Sequence, residues 1–133
     1  MSASQRLKGQ RGERELFGEL SERLGVVVRR NIGQTRGGGP DGLDIPGWAV
    51  ECKFQDKVFA PAWWNQTLRQ AEDTGRRPIL FYRKTGNRTW KARLRVDDLC
   101  LYRFGVMGDM ETAEVSLDVA AGVIRETLTK ETP

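Results

Sequence analysis

The chain has no histidine, only two cysteines and no long hydrophobic run. Without histidine, acid–base or nucleophilic chemistry based on imidazole is excluded, and because Cys52 and Cys100 lie 48 positions apart a zinc site is nearly excluded too. No apolar stretch approaches the roughly 18 residues that a membrane span needs. The first residues, MSASQRLKGQRGE, contain no apolar segment of the signal-peptide type. We therefore expect a soluble intracellular protein of the cytoplasm or nucleoid, or of the host cytoplasm if it is viral, with no membrane partner and no small-molecule cofactor.

Positive charge is in excess. The 22 Lys and Arg residues outnumber the 18 Asp and Glu residues, and 16 of those cations are arginine. Residues 1–36 alone contain eight cations and four acids. Because the planar guanidinium group of arginine matches phosphate oxygens, this composition predicts a polyanionic partner. A basic surface that only keeps the protein in solution is the alternative.

The 133 residues suffice for one hydrophobic core, so we expect a single α/β domain over residues 1–133. The segment from about residue 97 is a candidate accessory or dimerisation element. Hydrophobic periodicity and the placement of glycine and proline predict the elements in order. Helices are expected over 8–24, 62–74 and 116–130, and strands over 26–32, 42–45, 48–54, 77–84 and 89–96.

A hairpin with charged residues is predicted after the loop GQTRGGGPDG, which holds five glycines. If Pro46 and Gly47 form its turn, strand alternation places Asp44, Glu51 and Lys53 on one face. The other face is then apolar, with Leu43, Ile45, Trp48, Val50, Cys52 and Phe54. Two carboxylates about 7 to 8 Å apart across a hairpin can close around one Mg²⁺ or Mn²⁺ ion. With a lysine beside them they suit phosphodiester hydrolysis; an ion pair on a solvated sheet face is the alternative.

These residues resemble a known nuclease family. The stretch PDGLDIPGWAVECK is similar to the PD-(D/E)xK nuclease signature, with Asp44 as the first acid and Glu51-Cys52-Lys53 as E-x-K. The stretch KGQRGERELFGEL resembles the first helix of archaeal-type Holliday junction resolvases. The resemblance implies a restriction-endonuclease-like fold, a mixed β-sheet flanked by helices. It also implies that Glu13, Asp44, Glu51 and Lys53 are catalytic, that the three acids bind Mg²⁺ with Mn²⁺ able to substitute, and that a homodimer acts on branched DNA.

Further residues are candidates for DNA contact or for support of the site. Lys8, Arg11, Arg30 and Arg36 are candidates for contact with phosphates; Arg29 is the alternative to Arg30, since the two leave their strand on opposite faces. Thr35 matches a serine that aids cleavage in the family. In related nucleases a glutamine of the second helix approaches the site, and Gln66 and Gln70 are the two candidates for it here. Asp41 is the alternative to Asp44 as the first acid of the motif. Glu15 is expected to pair with an arginine such as Arg11. One of Trp63 and Trp64 is a candidate for stacking on bases if it is not in the core.

Two other functions stay open at this point. One is a PD-(D/E)xK nuclease of another kind, a restriction, repair or phage enzyme acting on duplex or flap DNA. The other is a non-catalytic DNA-binding module with the same fold, which would be expected to lack an acid or the lysine.

Overall fold

The computed structural model of the protein describes residues 3–25, 29–30, 43–99 and 111–131. Its elements are α1 Ala3–Leu24, β1 Arg29–Arg30, β2 Leu43–Asp44, β3 Trp48–Gln55, α2 Pro61–Thr74, β4 Arg77–Lys84, β5 Lys91–Arg95, α3 Val96–Leu99, β6 Thr112–Ser116 and α4 Leu117–Glu131. Among the helices in these ranges, none is both long and apolar enough to cross a membrane.

The main sheet has the strand order β3-β4-β5-β6. Strand β3 runs parallel to β4, because α2 carries the chain back between them, whereas the other two pairs are antiparallel. Strands β1 and β2 pair antiparallel in a separate two-stranded sheet, with Arg29 opposite Asp44. The sheet is therefore mixed and flanked by helices, which confirms the predicted α/β class and the arrangement expected of a restriction-endonuclease-like fold.

Helices cover both faces of the main sheet. On one face, Leu16 and Leu20 of α1 and Ile124 of α4 pack in one core with Trp48 and Phe81 of the sheet. On the other face, α2 contributes a second cluster, formed by Trp63, Trp64, Leu80 and Tyr82. Strand β3 lies under α1 on one side and under α2 on the other, so it is buried on both faces.

Helix ends follow the glycines and prolines of the sequence. Helix α1 starts five residues before the predicted position and ends as expected at Gly25, where φ is +72° and the backbone N–H donates to the Ser21 carbonyl at 3.0 Å. Helix α2 starts at Pro61 and ends at Gly75 with φ +67°. Strand β4 has the predicted bounds. Of the strand predicted over 26–32, only Arg29–Arg30 falls within the described residues.

Two elements were not predicted, α3 and β6. The β6 sequence TAEVS is short and polar, and its strand conformation depends on its pairing with β5. The start of α4 agrees with the prediction, because the Ser116 hydroxyl accepts a hydrogen bond of 3.2 Å from the Val119 N–H as a helix cap. The described part of the C-terminal segment thus extends the sheet and contributes Leu117 and Ile124 to the core.

Candidate active site

The turn that opens the site is the predicted one. The Trp48 N–H donates to the Ile45 carbonyl at 3.0 Å, and Gly47 has φ +83°. Proline at the second position and a left-handed glycine at the third are the residues that a type II turn requires. The turn brings Asp44, at the end of β2, next to the start of β3.

The two faces of β3 differ in character. Trp48, Val50, Cys52 and Phe54 belong to the core under α1, as the hairpin pattern predicted. Glu51 points to the opposite face, since side chains alternate along a strand, and it lies in register with Leu80 of the α2 cluster. Its residue exposure is 1%. The alternative of a solvated charged face is therefore wrong for Glu51.

Glu51 and Lys53 lie side by side. Their Oε1 and Nζ atoms are 3.3 Å apart, and the Lys53 side chain is 19% exposed. The carboxylate therefore lies in the apolar layer while the ammonium reaches its edge. Desolvating a carboxylate costs several kcal/mol, and a single ion pair seldom offsets that cost. This pair therefore adds little net stability to the fold.

Asp44 is more accessible than Glu51. Its side chain is 51% exposed, and Oδ1 contacts Arg76 Nη1 at 3.4 Å. The same nitrogen donates to the Trp48 carbonyl at 3.4 Å, so Arg76 lies over the turn between β2 and β3.

The donor chemistry of these acids fits a hard divalent cation. Carboxylate oxygens are the ligands that Mg²⁺ prefers, and the chain has no histidine to favour a softer metal. Within the described ranges, no three His, Cys, Asp or Glu side chains are grouped closely enough to hold an ion. The ligand roles of Glu13, Asp44 and Glu51 therefore stay predictions.

Glu13 lies on α1 and lines a cleft that includes Lys53 but neither Asp44 nor Glu51. Its neighbour Gly12 is buried where α1 crosses β3, and a Cβ built on Gly12 would lie 2.6 Å from the Phe54 Cβ. Beside this contact, the cleft, of about 560 Å³, separates the first half of α1 from the end of β3. Glu13 and Lys53 both line the cleft, so the structure brings these two predicted residues to one cavity.

Two of the predicted phosphate contacts flank the same cleft. Lys8 forms a 3.0 Å ion pair with Asp56 and lies 5.5 Å from the centre of the Phe54 ring. The Arg11 guanidinium lies 5.4 Å from that ring. Arg30 is in β1 but its side chain is outside the described residues, as are Thr35, Arg36 and Asp41.

Helix α2 covers the Glu51 face with its tryptophans. Trp63 and Trp64 are each 8% exposed, so both pack in the core and neither offers a surface for base stacking. Gln66 and Gln70 are both half-buried. The Gln70 Oε1 is buried and accepts no hydrogen bond from the described part of the chain.

Sequence reasoning missed the role of Arg83. Its guanidinium lies 4.2 Å from the Phe54 ring and 5.2 Å from the Trp90 ring, and it forms an ion pair with Glu15. Glu15 thus pairs with an arginine as predicted, but the partner is Arg83 rather than Arg11. Glu15 and Arg83 are 68 positions apart in the sequence. They meet only because β4, which carries Arg83, pairs with β3.

A second missed group lies next to Lys53. Tyr82 is its cross-strand neighbour on β4, and the Tyr82 hydroxyl donates a 2.5 Å hydrogen bond to Glu114 Oε2. Burial, and then this hydrogen bond, raises the pKa of Tyr82 well above its ordinary value, so the phenol stays neutral. Alternation along LFYRK could have placed Tyr82 on this face, but the partner from β6 was not foreseen.

Residues 4–101, more than half of the chain, match the model of the family described as "Phage putative PDDEXK endonuclease". No curated protein sequence matches the chain. Among solved structures, it is similar to Archaeoglobus fulgidus Hjc, described as a Holliday junction resolvase from an archaeal hyperthermophile. That similarity covers 86% of this chain and 96% of the other at 19% identity, with a TM-score of 0.49. At these values the likeness carries no conclusion about substrate.

Proposed function

This chain belongs to the family of phage PDDEXK endonucleases, and we propose that it is a Mg²⁺-dependent endonuclease that resolves four-way (Holliday) DNA junctions by phosphodiester hydrolysis. One observation carries the catalytic part of the proposal. Glu51 and Lys53, the acid and the lysine of the E-x-K motif, lie 3.3 Å apart with the carboxylate 1% exposed in an otherwise apolar layer.

The proposed roles follow from the chemistry of each side chain. Asp44 and Glu51 provide carboxylate oxygens for the ion, and Glu13 provides a third ligand from α1. When bound, Mg²⁺ or Mn²⁺ supplies an activated water and a Lewis acid for the phosphate. Lys53 donates hydrogen bonds to that water or to a phosphate oxygen, and its positive charge stabilises the charge that develops during cleavage. The apolar residues around Glu51 strengthen these electrostatic interactions, because they keep bulk water away.

The choice of four-way junctions is supported by the N-terminal helix. The stretch KGQRGEREL resembles the first helix of archaeal-type resolvases, and its Lys8 and Arg11 lie beside the cleft that holds Glu13 and Lys53. A resolvase cuts two strands symmetrically, so we also propose a homodimer with two sites facing one junction.

Two rival functions are tested by the same experiments as the proposed one. A nuclease of the same fold that cuts duplex or flap DNA fits the family description, which names an endonuclease without naming a junction. A non-catalytic DNA-binding module is less well supported, because this chain keeps both acids of the hairpin and the lysine.

The test of substrate uses the purified protein with Mg²⁺ on a four-way junction, a duplex, a flap and a single strand of equal length. We expect paired, symmetric cuts in the junction and little cutting of the others. Preferential cutting of duplex or flap would support the rival nuclease. Analytical ultracentrifugation of the free protein and of its junction complex checks the homodimer.

The test of mechanism uses Asp44→Asn, Glu51→Gln and Lys53→Ala, because the two amides remove the negative charge and leave no cavity. Each variant should lose cleavage and still bind the junction, and the two acid variants should melt at an equal or higher temperature than the wild type in EDTA. Mg²⁺ should raise the melting temperature of the wild type and of Lys53→Ala but not of the acid variants. If the pair is only structural, each change lowers stability by a similar amount, Mg²⁺ has no effect, and wild-type protein cuts nothing.

A further inference from the structure

The hairpin between β4 and β5 is basic throughout. Its nine residues from Arg83 to Lys91, RKTGNRTWK, contain four cations and no acid. Arg83 is held by Glu15, whereas Lys84, Arg88 and Lys91 are exposed and form no salt bridge with a carboxylate in the described ranges. We call Lys84, Arg88 and Lys91 the hairpin rim.

At the opposite end of the sheet, by contrast, half-buried arginines pair with carboxylates. There, Asp98 pairs with Arg95 at 2.7 Å and with Arg77 at 3.8 Å, and Arg76 contacts Asp44. Arginines at that end are therefore neutralised within the protein. At the hairpin rim the positive charge is directed to solvent, and a polyanion can neutralise it.

The backbone under the rim is held in place. The Thr85 N–H donates to the Gln55 carbonyl at 2.9 Å, and the Asn87 N–H donates to the Lys84 carbonyl at 3.0 Å. Arg83 Nη1 adds a 2.5 Å bond to the Asn87 carbonyl, and Gly86 turns the chain at φ +94°. Side-chain hydrogen bonds from Thr85 and then Lys8 lower the pKa of Asp56, which ties the hairpin to β3 and α1. A rigid hairpin loses little conformational entropy when it binds a ligand.

Lys91 of the rim lies on the same face of the sheet as the candidate site. Tyr82 is the cross-strand neighbour of Lys53 on one side and of Lys91 on the other. Since adjacent strands are about 4.8 Å apart, the backbones of Lys53 and Lys91 are separated by about 10 Å. That distance corresponds to about three nucleotides along one strand of DNA.

The hairpin has no surface for base stacking. Its only aromatic residue, Trp90, is 2% exposed and packs in the core. Proteins that hold single strands combine cations with exposed aromatic rings, whereas the phosphate backbone of a duplex is held without aromatic rings. The charge and the missing ring together favour duplex DNA.

We propose that the hairpin rim binds the phosphate backbone of a duplex arm next to the candidate site, a second DNA contact distinct from Lys8 and Arg11. The identity of the ligand as DNA rests on the proposed function. The rim itself takes no part in the chemistry of cleavage.

The test compares two triple variants of equal charge. The rim variant carries Lys84→Gln, Arg88→Gln and Lys91→Gln; the control carries Arg14→Gln, Arg69→Gln and Arg125→Gln, three exposed arginines on the helices. Affinity for a fluorescent duplex is measured in EDTA over a series of NaCl concentrations, so that cleavage plays no part. Thermal melting shows whether both variants are folded.

We expect the rim variant to bind duplex at least about tenfold more weakly than wild type, with a salt slope shallower by about two to three, while the control changes less than about twofold. Equal losses in the two variants, or a wild type that does not bind duplex, would overturn the proposal.

The two proposals fail in different ways. If the rim variant loses duplex binding but wild-type protein with Mg²⁺ cuts no DNA, the proposed duplex contact is supported and the proposed endonuclease activity is wrong. If wild type cuts DNA and the rim variant binds duplex like the control, only the rim proposal falls.

Discussion

The two faces of β3 are both buried, yet only one of them is apolar. Under α1, Trp48, Val50 and Phe54 pack among the side chains of the main core. Under α2, Glu51 is equally buried beside Lys53, in register with Leu80 of the cluster that also holds Trp63 and Trp64. An apolar residue of similar size at position 51 would avoid the desolvation cost of the carboxylate. One face therefore serves packing, and the other keeps a buried charged pair, the predicted site of catalysis.

Substitutions of adjacent residues on opposite faces of β3 should have opposite effects. Val50→Ala should cost about 2 kcal/mol of unfolding free energy, because it leaves a cavity in the core. Glu51→Gln should leave stability in EDTA equal or higher, since it removes a desolvated charge and the remaining Lys53 ammonium is partly exposed to water, but it should reduce cleavage by about 10³-fold. Urea unfolding and a cleavage gel measure both. If Glu51→Gln destabilises the protein more than Val50→Ala, Glu51 is a structural residue.

A smaller effect is expected where α1 touches the apolar face. Gly12→Ala places a Cβ 2.6 Å from the Phe54 Cβ, and no rotamer can relieve that overlap because both atoms are fixed to the backbone. The helix must move, at a cost of about 1 to 3 kcal/mol. Glu13 moves with it, so we expect cleavage by the fully folded variant to fall as well. Thermal melting and cleavage rates at saturating DNA measure the two losses.

Gly18→Ala is the matched control on the same helix. A Cβ at Gly18 has no neighbour within 4 Å, so this change should stabilise α1 by up to about 1 kcal/mol with no change in cleavage. Equal effects of the two alanines would show that helix propensity, rather than the contact with Phe54, decides the result.

The smallest effect concerns Tyr82 on the α2 face. Tyr82→Phe removes the 2.5 Å hydrogen bond to Glu114 and should cost about 1 kcal/mol near neutral pH. The folded pKa of Tyr82 is raised above the ordinary 10.0, so wild-type stability is fully present below pH 10.0 and falls as pH rises above it.

The variant should not show that alkaline loss. Ultraviolet titration of phenol ionisation, together with urea unfolding between neutral and alkaline pH, checks both expectations. A Tyr82 that ionises near its ordinary pKa would contradict the buried, hydrogen-bonded state.

Local signals made much of the fold predictable. Gly25 and Gly75 mark the ends of α1 and α2, and Pro46-Gly47 marks the hairpin turn, because these residues act through their own backbone angles. The roles of β6 and Arg83 were not predictable, since both depend on strand pairing between distant segments. The roles of Glu13, Asp44, Glu51 and Lys53 came from motif and spacing, and they stay predictions until activity is measured.

By itself, the sequence determined which residues alternate along β3 and that no histidine chemistry is available, because strand period and composition are local properties. It did not determine that Glu51 would be buried rather than solvated. The burial of Glu51 arises only in the folded protein. Helix α2 carries the chain over the sheet and returns it parallel to β3, so the Glu51 face is enclosed by the cluster of Trp63, Trp64, Leu80 and Tyr82. Burial depends on what packs above a residue, and here those neighbours come from segments that only the fold brings together.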